Sequence, residues 1–384
     1  MKAIKNKNIA IVGGGPGGLT LARLLQMNGA KVNVYERDAN REVRVQGATL
    51  DLHEESGLKA LEAAGLMDAF NTNYRPGADK LRVVDKHGNI VLDEHGADGG
   101  SYNRPEIDRG PLRKILLDSL QPDTVIWNSQ FVSLSKQENG VIKLEFKKGT
   151  TAYADLVIAA DGANSKIRPY ITPIEPFYAG VSVIEGAVYN SEKASPRIHE
   201  LLNGGKIFAM GDEKTLIVSS KGDGSLVFYA GIKSSESWLQ DSGIDFKNKA
   251  QVFAWFKQEF AGWDTIWDEL FENAEPVFIP RPQYCMPLDQ TWKALPNLTM
   301  LGDAAHLMPP YAGEGVNMAM LDALELAQHL LSDEFENTGD AIAAYEKQMR
   351  TKASETAAMT LEQTDSLHSA DGLKNLVAMF NPEE

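Results

Sequence analysis

The sequence predicts an α/β protein in which a Rossmann-like domain with a β-meander is interrupted by a domain built on a mostly antiparallel sheet and closed by a C-terminal helix. Three observations predict it. A β-branched run, Ile9 to Val12, leads directly into Gly13-Gly14-Gly15-Pro16-Gly17-Gly18. Two later apolar runs, Leu156 to Ala160 and Leu298 to Leu301, end at Asp161-Gly162 and Gly302-Asp303. Short continuous apolar runs of this kind suit parallel strands buried on both faces. Between them, from about residue 170 to 277, alternating patterns such as Thr215 to Ser219 and Ser225 to Ile232 read as strands of a different sheet.

The elements follow in order. After the first strand, Gly13, Gly15 and Gly18 form a G-x-G-x-x-G set, and Leu21, Leu24 and Leu25 mark one face of the helix behind it. A second strand, Lys31 to Tyr35, ends at Glu36. Gly13 suits the tight turn, Gly15 lets backbone approach a pyrophosphate, and Gly18 lets helix and strand pack closely. The helix N-terminus offers free N–H groups to phosphate, and Glu36 is placed to accept hydrogen bonds from both hydroxyls of an adenosine ribose. The motif implies an ADP moiety without choosing between FAD and NAD.

A helix-like segment follows from about Gly57 to Phe70, then strands near Leu81 to Val84 and Ile90 to Leu92 around an Asp85-Lys86-His87-Gly88-Asn89 turn. Arg109 to Leu120 reads as a helix with Leu112, Ile115, Leu116 and Leu120 on one face. Thr124 to Trp127, Phe131 to Ser135, Val141 to Phe146 and Ala152 to Ala154 read as a meander. Aromatic helices are expected around Trp238 and from Phe253 to Trp267. After Gly302-Asp303, the prolines and glycines of Pro309-Pro310 and Gly313-Glu314-Gly315 make a rigid loop. A helix begins near Val316, with Met320, Leu324, Ala327 and Leu331 as its buried face. Its N-terminus would favour negative charge in front of it. The tail from Asp340 to Phe380 reads as long helix.

Composition narrows the function classes. Hydrophobic residues at 43% and charged residues at 24% fit a globular chain with a real core. A formal charge of -15 argues against nucleic acid as a partner. The lone Cys285 excludes an internal disulfide and disulfide-cycling chemistry, offers no metal site by itself, and fits a reducing cytoplasm. No apolar run reaches membrane-span length, and MKAIKNKN followed by IAIV reads as the approach to a strand rather than a leader. His306, beside a tight turn, reads first as structural.

Together the GGGPGG turn with Glu36, the Asp161-Gly162-Ala163-Asn164-Ser165-Lys166-Ile167-Arg168 segment, and Gly302-Asp303 with Pro310, Gly313 and Asn317 resemble the single-component FAD-dependent aromatic hydroxylases of the para-hydroxybenzoate hydroxylase type. The resemblance spans nearly the whole chain. It implies a glutathione-reductase-type FAD domain over 1–77, 92–169 and 278–321, a substrate domain over 78–91 and 170–277, and a helical segment over 322–384 bridging the two. FAD would be resident, and NADPH a transient reductant in a surface groove, since only one fingerprint is present. By the same resemblance Asp161, Ser165 and Arg168 lie near both cofactors, Asp303 bonds the flavin ribitol, and Pro310, Gly313 and Asn317 lie at the isoalloxazine ring. Arg109 is directed towards FAD, with Arg37 close behind the ribose acid.

Within that group the strings VYERDANREVRVQGATLDLH at 34–53, DTVIW at 123–127 and MLGDAAHLMPPYAGEGVN at 300–317 are similar to the tetracycline-inactivating flavin monooxygenases of bacteria. That likeness implies Arg44 on NADPH, Asp51 on FAD and Tyr311 beside flavin and substrate. Glu185, Lys206 and Val227 stand where those enzymes carry a glutamine, an arginine and a histidine for the substrate. The implied reaction is hydroxylation of a phenolic or enolic aromatic or polyketide molecule, tetracyclines among the candidates, by a flavin hydroperoxide formed with molecular oxygen. No dedicated catalytic acid or base and no metal are expected, and the chain is expected to act as a monomer. A reductase on the same fold, or a flavoprotein that only sequesters an aromatic ligand, is the alternative. A halogenase is disfavoured because Phe278-Ile279-Pro280 lacks a paired-tryptophan motif.

Overall fold

A computed structural model of the chain describes residues 2–43, 47–95 and 104–380. Its first layer is a five-stranded sheet ordered Leu298–Met300, Leu156–Ala159, Asn8–Val12, Lys31–Tyr35 and Val125–Ile126, with every pairing parallel. The central strand is buried from Ile9 through Val12, as its unbroken apolar run predicts. Helix Pro16–Met27 packs on one side of the sheet and lies against helix Gly315–Leu331.

The meander contains three of the four expected strands, Phe131–Lys136, Ile142–Phe146 and Thr151–Ala154. The fourth, Val125–Ile126, pairs instead with Val34 and Tyr35 at the edge of the parallel sheet. At two residues it is too short to carry a period, so sequence alternation could not place it. A two-stranded pair, Leu50–Asp51 with Glu106–Ile107, had no sequence signal for the same reason.

The second large sheet has seven strands in the order Ile279–Cys285, Phe177–Val188, Leu226–Lys233, Lys214–Ser220, Lys206–Gly211, Leu81–Asp85 and Ile90–Asp93. Its pairings are antiparallel except that between Lys206–Gly211 and Leu81–Asp85. One face buries Leu226, Phe228, Ala230 and Ile232 against Val252, Phe256, Leu270 and Phe271 of the helices behind it. By the two-residue period, Val227, Tyr229 and Gly231 must project from the opposite face.

Two helices depart from expectation. The segment from Gly57 to Phe70 is a π-helical turn, Glu54–Leu58, continuing into Lys59–Ala63, then a break and a second helix, Met67–Asn73. The break falls at Gly65, whose φ of +69° stops the first helix. Helix Gly315–Leu331 buries more than one face, since Met318, Ala323, Leu326 and Leu330 are buried with Met320, Leu324 and Ala327. The tail is helix Thr338–Leu367 followed by a short helix, Gly372–Phe380. Among the described residues no helix is long and apolar enough to cross a membrane.

Candidate cofactor and substrate site

The glycine turn is built around two close approaches. At Gly13, φ is +113° and a Cβ would sit 2.0 Å from the Ala160 carbonyl oxygen, so no side chain fits. At Gly18 a Cβ would lie 2.2 Å from the Gly13 carbonyl oxygen, which is the helix-to-strand packing expected of that position. A Cβ at Gly15 would meet nothing within 4 Å, leaving open space before the uncapped N-terminus of helix Pro16–Met27. Glu36 ends the second strand with its carboxylate already aligned. Oε2 accepts the Gly14 N–H at 2.5 Å and Oε1 accepts the Asp38 N–H at 2.9 Å. Each oxygen keeps a further lone pair for a ribose hydroxyl. Arg37 is exposed beside it.

The segment after Leu156–Ala159 places Asp161 at the same end of the parallel sheet. Asp161 Oδ2 accepts the Lys166 N–H at 2.8 Å, while the buried Oδ1 has no hydrogen-bond partner among the described residues. An orphaned carboxylate oxygen beside the glycine turn is a donor-seeking position that a dinucleotide can satisfy. Arg168 turns its cation into the protein. It is buried, and its guanidinium donates to the carbonyls of Ala304 at 2.7 Å, Asp303 at 2.8 Å and Ala163 at 3.0 Å. It ties the middle segment to the third, with Ser165 Oγ accepting the Ile167 and Arg168 N–H groups.

The third segment is anchored from behind. His306 Nε2 lies 2.5 Å from Asp322 Oδ2, and the same oxygen accepts the Gly302 N–H at 2.8 Å. Burial lowers the His306 pKa, but the Asp322 charge and hydrogen bond outweigh it and the net shift is upward. This buried pair fixes Asp303 in front of the sheet. Burial raises the Asp303 pKa against the opposing charges of His306, Arg109 and Arg168. Arg109 Nε donates to the Ala48 carbonyl at 3.0 Å, and the Ala48 N–H donates to the Tyr229 hydroxyl at 2.8 Å. Ala48 is thereby held through two successive peptide units between a helix and the seven-stranded sheet.

Asn317 lies in the first turn of helix Gly315–Leu331. It is fully buried, its Nδ2 donates to the carbonyls of Asp51 at 2.9 Å and Gly313 at 3.3 Å, and its Oδ1 accepts the His53 N–H at 2.9 Å. Its amide thereby ties the Gly313 turn to the backbone at Asp51 and His53. Asp51 lies against Gly313 and 3.1 Å from His53 Nε2. Burial would raise the Asp51 pKa, yet the His53 hydrogen bond and the Lys206 charge bring the net shift downward. Pro310 and Gly313 lie in the turn that faces this pair. Arg44 lies outside the described residues.

The four substrate candidates fall on one side of the seven-stranded sheet. Glu185 pairs in register with Tyr229, Lys206 with Ser219, and Ser219 with Val227, so all project from the side that Tyr229 turns towards Ala48. Tyr311 reaches the same face, its hydroxyl 3.0 Å from where a Gly231 Cβ would be. Three of them are engaged within the protein, Tyr311 through its hydroxyl, 3.3 Å from His368 Nε2. Glu185 Oε2 accepts the Arg281 Nε–H at 2.5 Å. Lys206 forms an ion pair with Glu106. Val227 is buried. Sequence reasoning missed Tyr229, Arg281, Thr215 and His368, whose convergence depends on strand register and on a helix far along the chain. Alternation could have named Tyr229 once the buried face of its strand was known. The Tyr229 hydroxyl is pushed up to about 12, by burial first and then by Glu185.

A glycine turn with open space before its helix, an acid at the end of the second strand, a deep acid before the sheet and a facing antiparallel wall together fit a dinucleotide-binding protein. The FAD binding domain family model matches residues 6–211 and 295–360, and the chain belongs to that family. It is similar to 6-hydroxynicotinate 3-monooxygenase of Pseudomonas fluorescens, 28% identical over 378 residues covering 94% of this chain and 92% of the relative. An FAD-containing monooxygenase from Photorhabdus luminescens superposes with a TM-score of 0.78 at 28% identity, covering 94% of this chain and 98% of that one. The tetracycline destructase Tet(55) shares the fold, with a TM-score of 0.75 at 21% identity over 94% of this chain and 89% of that one. The chain is an FAD-dependent monooxygenase.

Proposed function

We propose that this chain is an NAD(P)H-consuming hydroxylase of a phenolic or enolic small molecule. The observation that carries the reading is the facing pair of surfaces: the Gly13–Gly18 turn, Glu36 and Asp303 on one side, and the polar sheet face of Glu185, Tyr229 and Thr215 on the other. When bound, FAD would supply the redox chemistry, with two-electron reduction by NAD(P)H and insertion of one oxygen atom of O2 into the substrate, the other leaving as water.

The chain's own residues bind and orient. Gly13, Gly15, Gly18 and Glu36 would hold the ADP half, with Arg37 beside it, and Asp161 and Asp303 the middle of the cofactor. Arg109, Asp51, Pro310 and Gly313 would border its ring end. The helix N-terminus at Gly315 would stabilise negative charge on that ring. Arg44 belongs to this proposal as an NADPH contact. No residue of the site is required as a general acid or base. The sheet wall and the Tyr311 loop exclude water and place the substrate carbon. On this reading residues 78–91 and 170–277 form the substrate domain, and the Thr338–Leu367 helix spans both parts. The relative acting on 6-hydroxynicotinate supports a hydroxylated aromatic ring as substrate. Tetracyclines are the second candidate, on the likeness of the cofactor strings.

The test is anaerobic mixing of the FAD-loaded protein with NADPH in the presence of 6-hydroxynicotinate or tetracycline. The flavin absorbance should bleach, and readmitted oxygen should restore it with a product one oxygen heavier. A flavin that bleaches but yields only peroxide with both compounds removes them as substrates. One that never bleaches with either compound sinks the hydroxylase reading.

A further inference from the structure

A polar cluster beyond the cofactor motifs joins three distant parts of the chain. His368, at the C-terminal end of helix Thr338–Leu367, is fully buried. Its Nδ1 lies 2.9 Å from the Thr364 carbonyl oxygen, and its Nε2 lies 3.3 Å from the Tyr311 hydroxyl and 3.4 Å from Thr215 Oγ1. The two rings meet edge to face with centroids 5.1 Å apart. Gly231 leaves room for the meeting, since a Cβ there would lie 2.4 Å from Thr215 Oγ1 and 3.0 Å from both His368 Nε2 and the Tyr311 hydroxyl.

Hydrogen-bond inventory fixes the direction of each proton. A carbonyl can only accept, so His368 Nδ1 carries the hydrogen donated to Thr364. Burial lowers the His368 pKa, which keeps the ring neutral and leaves Nε2 a bare acceptor. Two hydroxyls face that single lone pair. The phenol is the stronger acid and the nearer of the two. Burial raises the Tyr311 pKa and keeps the phenol protonated, and a hydrogen bond with Thr215 only partly opposes that shift.

We propose that His368 is a positioning residue that takes the Tyr311 proton into the protein and turns the remaining lone pair of the Tyr311 oxygen towards the substrate space. The site then presents an acceptor at this point and favours a ligand carrying an O–H there, a phenol or enol, over its ether. This deepens the hydroxylase reading and rests on it for the ligand, while the proton arrangement stands without it.

Two measurements on the FAD-loaded protein test the proposal. In 15N-histidine spectra, the resonance lost in His368→Gln should show a protonated Nδ1 and a bare Nε2, and Tyr311→Phe should shift that Nε2. An Nε2–H tautomer, or an Nε2 unmoved by Tyr311→Phe, overturns the arrangement whatever the enzyme's activity. In flavin-absorbance titrations, phenol should bind about threefold to tenfold tighter than anisole, the size of one hydrogen bond. The preference should collapse in His368→Phe and persist in His368→Gln, whose side-chain carbonyl still accepts. A wild type that binds phenol no better than anisole, or a His368→Phe protein that keeps the preference, overturns the ligand half. Absent bleaching by NADPH with intact tautomer and phenol preference would instead count against the hydroxylase reading alone.

Discussion

Asp303 carries the site at the scale of single residues, because it is the acid that three independent anchors position. The His306–Asp322 pair holds its turn from behind, Arg168 clamps its carbonyl, and Arg109 offsets its charge. Replacing Asp303 with Ala removes the acceptor and the charge that Arg109 offsets, while leaving the His306–Asp322 pair and the Arg168 clamp on the backbone in place. The FAD dissociation constant should rise by at least about tenfold, roughly 1.4 kcal/mol, with the unfolding temperature of the apoprotein nearly unchanged. FAD retained at wild-type affinity in equilibrium dialysis would sink the role given to Asp303. Residues of this kind were legible in the sequence because short motifs pin both identity and backbone. Gly13 and Glu36 occupy the positions that the motif's physics assigns them. Arg168 and Asn317 were not legible as clamps. A sequence shows that a cation or an amide is present, but only the fold shows which carbonyls surround it.

At the scale of elements, the short Asp303–His306 helix and helix Gly315–Leu331 are joined through a buried charge pair whose protonation sets their strength. The native His306 pKa lies above that of the unfolded chain, so the pair's contribution is fully present below about pH 6.5. It is lost as pH rises through the higher native value. The unfolding temperature of the wild type should therefore fall as pH rises from mild acid to alkaline conditions. His306→Gln should be less stable by about 1.5–3 kcal/mol at low pH, the scale of a charged hydrogen bond. Its unfolding temperature should then vary less with pH. Parallel pH curves for the two proteins, followed by calorimetry, would show that His306 does not titrate in this way. Element types were largely readable where a run was long and periodic, as with the strand Leu226–Lys233 or the tail helix. They were unreadable where pairing partners decide the outcome, as for Val125–Ile126 and the Leu50–Asp51 pair.

The whole molecule depends on how the parallel-sheet layer and the seven-stranded sheet are held face to face, and polar latches cross that gap. Tyr229 bonds Ala48, Arg75 donates to the Ser220 carbonyl at 2.8 Å, and Asp108 accepts the Gly222 N–H at 3.0 Å. The most buried latch is Lys206 with Glu106 Oε1, while Glu106 Oε2 has no hydrogen-bond partner among the described residues. No motif encodes it, since its two halves are brought together only by the packing of the two-stranded pair beneath the large sheet. Burial raises the Glu106 pKa despite the nearby Lys206 charge, so the ionised carboxylate depends on its lysine. Lys206→Met should strand that charge and cost about 3–5 kcal/mol near neutral pH. Adding Glu106→Gln should recover most of the loss, because a neutral amide tolerates the site. In the single variant the unpaired carboxylate has a pKa raised further above its unfolded value. Its penalty therefore grows above the ordinary carboxylate range and shrinks as pH falls. Urea unfolding of the wild type, both single variants and the double variant, at neutral pH and near pH 5, measures the coupling directly. A Lys206→Met protein as stable as wild type, or a double variant no better than the single, would mean that the two sheets are held by apolar packing and the remaining latches alone.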